Sequence, residues 1–76
     1  MSYRIIEDQL TILHENLTSM DETIKLWSEA HEKKPNSYHE IYGWCEPLDR
    51  FIGVAQYKPG DKTLGSSLKN GGERKQ

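Results

Sequence analysis

The sequence predicts an all-α protein. A long N-terminal helix with a heptad pattern is followed by a shorter, proline-interrupted helical segment that folds back along it. Together they form an αα-hairpin expected to oligomerise into a helical bundle. Three observations carry this expectation. Positions 3, 6, 10, 13, 17, 20, 24, 27 and 31 hold Tyr, Ile, Leu, Leu, Leu, Met, Ile, Trp and His, and the steps alternate three and four as in a coiled-coil seam. No glycine or proline marks a break between Ser2 and Lys34. A second series, Tyr38, Ile41, Cys45, Leu48, Ile52 and Ala55, steps in the same way.

The first element is read as one helix of about 30 residues, near 45 Å long. Ser19 followed by Glu22 matches a capping box, but both fall on the outer face of the heptad. They are therefore taken as a coincidence within a continuous helix. Ile5, Ile12 and Leu26 widen the apolar face beyond a two-stranded seam. Asp8, Glu15, Glu22 and Glu29 share the outermost column; this acidic ridge is read first as a solvated face and second as a docking strip for a basic partner. The seam assigns Ile6, Leu10, Leu13, Leu17, Met20, Ile24 and Trp27 to an oligomer interface, with a homodimer as the simplest closed assembly.

The run KKPNSYHE ends that helix. Two lysines suit its C-terminal dipole, Pro35 stops it, and Ser37 with Glu40 forms a capping box for the next segment. Pro47 then demands a kink or break near Gly43–Glu46. A rival reading makes FIGVAQY a strand and KPGD a type II turn. It is placed second because the KTLGSSL segment after the turn is a weak partner strand. Residues 1–57 form the hairpin domain, and residues 58–76, rich in Gly, Ser and Lys, are read as a flexible tail.

Charge narrows the function classes. Residues 1–57 carry five basic and ten acidic side chains, a net of −5, and residues 58–76 carry five basic and two acidic ones, a net of +3. An acidic body disfavours a broad nucleic-acid surface. The chain has one cysteine, Cys45, so no internal disulfide can form and a reducing, cytoplasmic setting is expected. No apolar run approaches the roughly 20 residues of a membrane-spanning helix.

Candidate chemistry is sparse. Cys45 with His39 is the one nucleophile–base pair to consider, and no orienting group is evident, so Cys45 is read as a small buried apolar residue. His39, Glu40 and Cys45 lack the paired spacing of a zinc motif, and GSSLKNGG is not a phosphate loop. His14 and His31 are read as polar residues of the first helix, His31 lying in the seam. No catalytic residue, metal or cofactor is assigned. The aromatic cluster Tyr38, Tyr42 and Trp44 is the expected partner-binding patch, since Tyr and Trp dominate binding hot spots.

These features point to a non-enzymatic, oligomeric helical protein that binds another protein, a small acidic adaptor or inhibitor of the kind phages and mobile elements encode. The alternatives are a dimeric nucleic-acid regulator using its basic tail, and a helical bundle with a ligand pocket between helices near the aromatic cluster.

Overall fold

The computed structural model describes residues 2–63. The chain opens with two strands, β1 (Tyr3–Glu7) and β2 (Thr11–Leu17), where a continuous helix was expected. One helix follows, α1 (Met20–Lys33), and then two more strands, β3 (His39–Cys45) and β4 (Arg50–Tyr57). The four strands form one antiparallel sheet in the order β2-β1-β3-β4. A mixed α/β fold, with a 14-residue helix packed on a four-stranded sheet, replaces the all-α hairpin. There is no coiled coil in the described residues and no helical pair to build a bundle.

Two backbone facts explain the first correction. Asp8 and Gln9 both take positive φ, 53° and 61°, and Leu10 N–H closes on the Glu7 carbonyl at 3.0 Å. Positive φ at both central residues is what a type I′ hairpin turn requires, and a short polar side chain such as Asp tolerates it. A hairpin can therefore form with neither glycine nor proline. The β-branched residues Ile5, Ile6, Thr11 and Ile12 flank that turn and favour strands.

The second correction concerns Ser19. Its hydroxyl accepts from Glu22 N–H at 3.2 Å, so it is the N-cap of α1. Its carbonyl also takes the Thr23 hydroxyl at 2.7 Å. The box at Ser19 and Glu22 starts a helix, whereas Glu40 of the box at residue 37 lies inside β3. Of the long heptad series, only Met20, Ile24, Trp27 and His31 belong to a helix. Ser19→Ala should lower stability by about 1 kcal/mol, read as a reduced urea midpoint. An unchanged midpoint would mean that the cap adds nothing.

Pro47 sits in the turn between β3 and β4, where a kinked helix was expected. Leu48 N–H reaches the Cys45 carbonyl at 3.2 Å and Asp49 N–H the Glu46 carbonyl at 3.0 Å. Proline suits the second position of the latter turn because its φ is already set. FIGVAQY is a strand, as in the rival reading, but its partner is the preceding β3. KPGD is a type II turn: Gly60 takes φ 90°, and Asp61 N–H returns to the Lys58 carbonyl at 3.0 Å. The expected flexible tail begins in this described turn, and its residues 64–76 lie outside the described residues.

The core forms where α1 meets the sheet. Ile5, Ile41, Trp27 and Tyr57 are buried, with Leu13, Leu17, Ile24 and Leu26 packed around them. Side chains alternate faces along a strand, so Ile5, His39, Ile41 and Tyr57 point toward the helix. Arg4, Ile6, Glu40, Tyr42, Trp44 and Phe51 take the opposite face. No described helix is long and apolar enough to cross a membrane.

Candidate functional site

The helix-free face gathers its aromatics at one end. Trp44 and Phe51 are cross-strand partners on β3 and β4, and their rings meet edge-to-face with centroids 5.2 Å apart. Arg4 on β1 lays its guanidinium 3.8 Å from the centre of the Phe51 ring, a cation–π geometry. Arg4 forms no ion pair with a described carboxylate, and its Nε is buried with no hydrogen-bond partner. Tyr42 lies between Arg4 and the next strand and donates a long hydrogen bond, 3.4 Å, to Glu40 Oε2. Burial first, then the Glu40 charge, pushes the Tyr42 phenol above its ordinary pKa of 10.0, so it remains a donor. No second layer of described structure packs on this face.

The other side of the same hairpin is open at its far end. Tyr3, Met20, Gly43, Pro47, Ile52 and Val54 line an apolar groove of about 750 Å³. Gly43 forms its floor: a Cβ there would lie 3.2 Å from both the Tyr3 ring and the Val54 side chain. Ile52 and Val54 remain 38% and 45% exposed, because α1 starts at Met20 and does not extend over them.

At the opposite end of the sheet lies a buried polar chain. His39 Nε2 meets Glu7 Oε2 at 3.0 Å, and the two residues are cross-strand partners on β3 and β1. His39 Nδ1 meets His31 Nδ1 at 2.7 Å. His31 Nε2 reaches the Asp61 carbonyl at 2.9 Å. Both imidazoles are fully buried. Tyr57 stacks on His31 and on Trp27, and its hydroxyl shares a 3.0 Å hydrogen bond with Ser28. Burial is the main cause holding His31 below the ordinary imidazole pKa of 6.5, and the hydrogen bond to Asp61 works against it.

The expected site residues are scattered by this topology. Tyr42 and Trp44 share the helix-free face, while Tyr38 lies in the loop before β3, bonded through its backbone N–H to Asp8 Oδ1 at 3.0 Å. The residues assigned to a helical seam lie on different elements: Ile6 on β1, Leu10 in the turn, Leu13 and Leu17 on β2, and Met20, Ile24 and Trp27 on α1. Trp27 is a core residue. Of the acidic ridge, Asp8 is in a turn, Glu15 on β2, and Glu22 and Glu29 on α1, so the four do not form one strip. His14 is on β2 rather than a helix. His39 and Cys45 stand at opposite ends of β3, about 20 Å apart at the usual strand rise, and do not form a pair. No group of three metal-binding side chains comes together among the described residues. A pocket between helices has no counterpart where one helix is described, and most of the basic tail lies outside the described residues.

Arg4, Phe51 and Glu7 were missed from the sequence. The available signal for Phe51 was the strand reading of FIGVAQY, placed second; YRIIE carries no strict polar–apolar alternation that would have marked Arg4 and Glu7 as strand residues. The chain matches no family model, no curated protein and no solved structure.

Proposed function

We propose that the protein is a recognition module for another protein chain and that the far half of the β3–β4 hairpin is its contact surface. The observation that carries this reading is Arg4, stacked on Phe51 beside Trp44 without an acidic partner among the described residues. An ordered cation within an aromatic patch suits a carboxylate flanked by apolar side chains. Trp, Tyr and Arg are also the residue types that dominate protein-binding hot spots. A phosphate backbone is a poorer fit: this face adds Glu40 to one arginine, and the body carries a net −5. The helical oligomer first expected to provide binding is absent from the fold, so the sheet takes that role. The free thiol of Cys45 fits a reducing compartment, and we place the protein in the cytoplasm on that ground.

Selection from a phage library of random peptides tests the reading. Enriched peptides should pair an acidic residue with apolar neighbours. Trp44→Ala or Arg4→Gln should weaken their binding by about 30-fold, the scale of a hot spot, with the far-UV circular dichroism unchanged. Enrichment that survives both substitutions would refute this surface. Light scattering across a hundredfold dilution separates a second copy of the chain from a different chain as the natural partner.

A further inference from the structure

We propose that Glu7, His39 and His31 together hold three protons between them, one more than a carboxylate and two neutral imidazoles carry, and that this makes the helix–sheet junction a pH-sensitive lock. The count follows from the hydrogen bonds. A carbonyl cannot donate, so the contact with Asp61 places a proton on His31 Nε2. The 2.7 Å contact between the two Nδ1 atoms needs one proton between them, since two lone pairs or two N–H groups would repel. The 3.0 Å contact between His39 Nε2 and Glu7 Oε2 needs one as well. Three bonds thus take three protons. One carboxylate negative charge and one imidazolium positive charge cancel, so the buried set is neutral. A neutral set avoids the large cost of an unpaired buried charge.

Among the described residues, the neighbouring polar groups have partners outside this set. Tyr57 stacks on His31 and uses its hydroxyl on Ser28. The Asp61 carboxylate is bonded to Lys58 N–H, and Glu32 accepts from Thr63. Lys34 Nζ lies 3.8 Å from the other Glu7 oxygen but is mostly exposed, so its charge is well screened. His14, Glu29 and Lys33 share with Glu7 and Lys34 a small groove of about 220 Å³. Glu7 keeps 13% of its side chain exposed.

Linkage turns the count into a pH profile. In the unfolded chain each imidazole titrates near pH 6.5 and the carboxyl near 4.3, all approximate values. The unfolded set therefore also binds three protons at about pH 6.5, and the lock stabilises the fold most there. Above that pH the unfolded set falls to two protons and the folded set keeps three, so stability declines as pH rises. Below it the unfolded set climbs to four, and stability declines as pH falls. Each limb approaches a tenfold change in the unfolding constant per pH unit, about one proton's worth. The lowered pKa of His31 has the same sign as the acid limb: that ring resists the fourth proton, and its stabilisation is lost as pH drops from 6.5 through the folded value.

Glu7→Gln separates this lock from an ordinary buried histidine pair. A glutamine amide can donate to His39 Nε2, His39 Nδ1–H to His31 Nδ1, and His31 Nε2–H to Asp61, so every bond is satisfied with both rings neutral. Urea unfolding from pH 5 to 9 should show a maximum near pH 6.5 in the wild type. In the Gln variant the alkaline limb should vanish and the acid limb should steepen to about a hundredfold per pH unit, two protons' worth. An alkaline limb of equal slope in both proteins would overturn the proposal, as would a wild type that is flat above pH 6.5. Histidine ring ¹⁵N spectra of the wild type at pH 7 test it even if the variant does not fold. Both Nε2 atoms should be protonated, with a coupling through the hydrogen bond between the two Nδ1 atoms, and His14→Gln removes the third ring's signals. A deprotonated His31 Nε2 would refute the count, as would a deprotonated His39 Nε2 beside an ionised Glu7 carboxylate, which the Glu7 side-chain ¹³C shift reports.

Discussion

Trp27→Ala is expected to cost about 3–5 kcal/mol, the usual range for removing a large buried aromatic, against a total stability of about 5–15 kcal/mol for a small domain. Trp27 is 5% exposed and joins the helix to the sheet in two ways. Its ring stacks on Tyr57 with centroids 3.9 Å apart and an 18° interplanar angle. Its Nε1–H donates to the His39 carbonyl at 2.8 Å. The core offers little in reserve, because Ile5, Ile41 and Tyr57 are the other buried hydrophobic side chains among the described residues. Urea denaturation followed by circular dichroism measures the loss. Trp27→Phe should recover most of the stacking but not the hydrogen bond, landing about 1–2 kcal/mol below wild type. If Trp27→Ala unfolds at the wild-type urea concentration, the helix is not held to the sheet through this ring.

His39→Ala is the second large effect, about 2–4 kcal/mol, because it leaves hydrogen-bonding partners inside the fold unpaired at about 1–3 kcal/mol each. The substitution strands a partner at each end of the imidazole: Glu7 Oε2 on β1 and His31 Nδ1 on α1. Glu7 keeps 13% of its side chain exposed and can regain some hydration, which moderates the loss. His39→Gln should restore the contact with Glu7 and recover part of the stability at pH 7. Equal stability for the wild type and the alanine variant at that pH would show that the chain of hydrogen bonds does not hold the junction together.

Several local signals were legible in the sequence and were ranked wrongly. Ser19 and Glu22 marked a helix start, FIGVAQY read as a strand, and KPGD read as a type II turn. The first is overridden by a three-four spacing that runs unbroken from Tyr3 to His31, and the other two by the weakness of KTLGSSL as a partner strand, when the partner is in fact the preceding β3. That spacing has no single physical origin here. Its two members on β1, Tyr3 and Ile6, pair with Gly43 and Glu40 and so lie on opposite faces of the sheet, while within α1 the buried face runs through Thr23, Trp27 and His31; the series joins residues that share no common face. The requirement for a glycine or proline break was also too strict, since Asp8 and Gln9 turn the chain at positive φ.

By itself the sequence determined the local chemistry of the chain: the cap at Ser19, the turn at Lys58–Asp61, the charge difference between body and tail, and the aromatic character of Tyr42 and Trp44. These depend on neighbours a few residues away, so they survive whatever the global fold. Only the tertiary structure decided which residues share a face or touch. Arg4 meets Phe51 across 47 positions of sequence, and Glu7 joins His39 across 32, because β1 lies beside β3 and β3 beside β4. Such pairings depend on strand order and register. A helical reading of the same residues would have placed every one of them elsewhere.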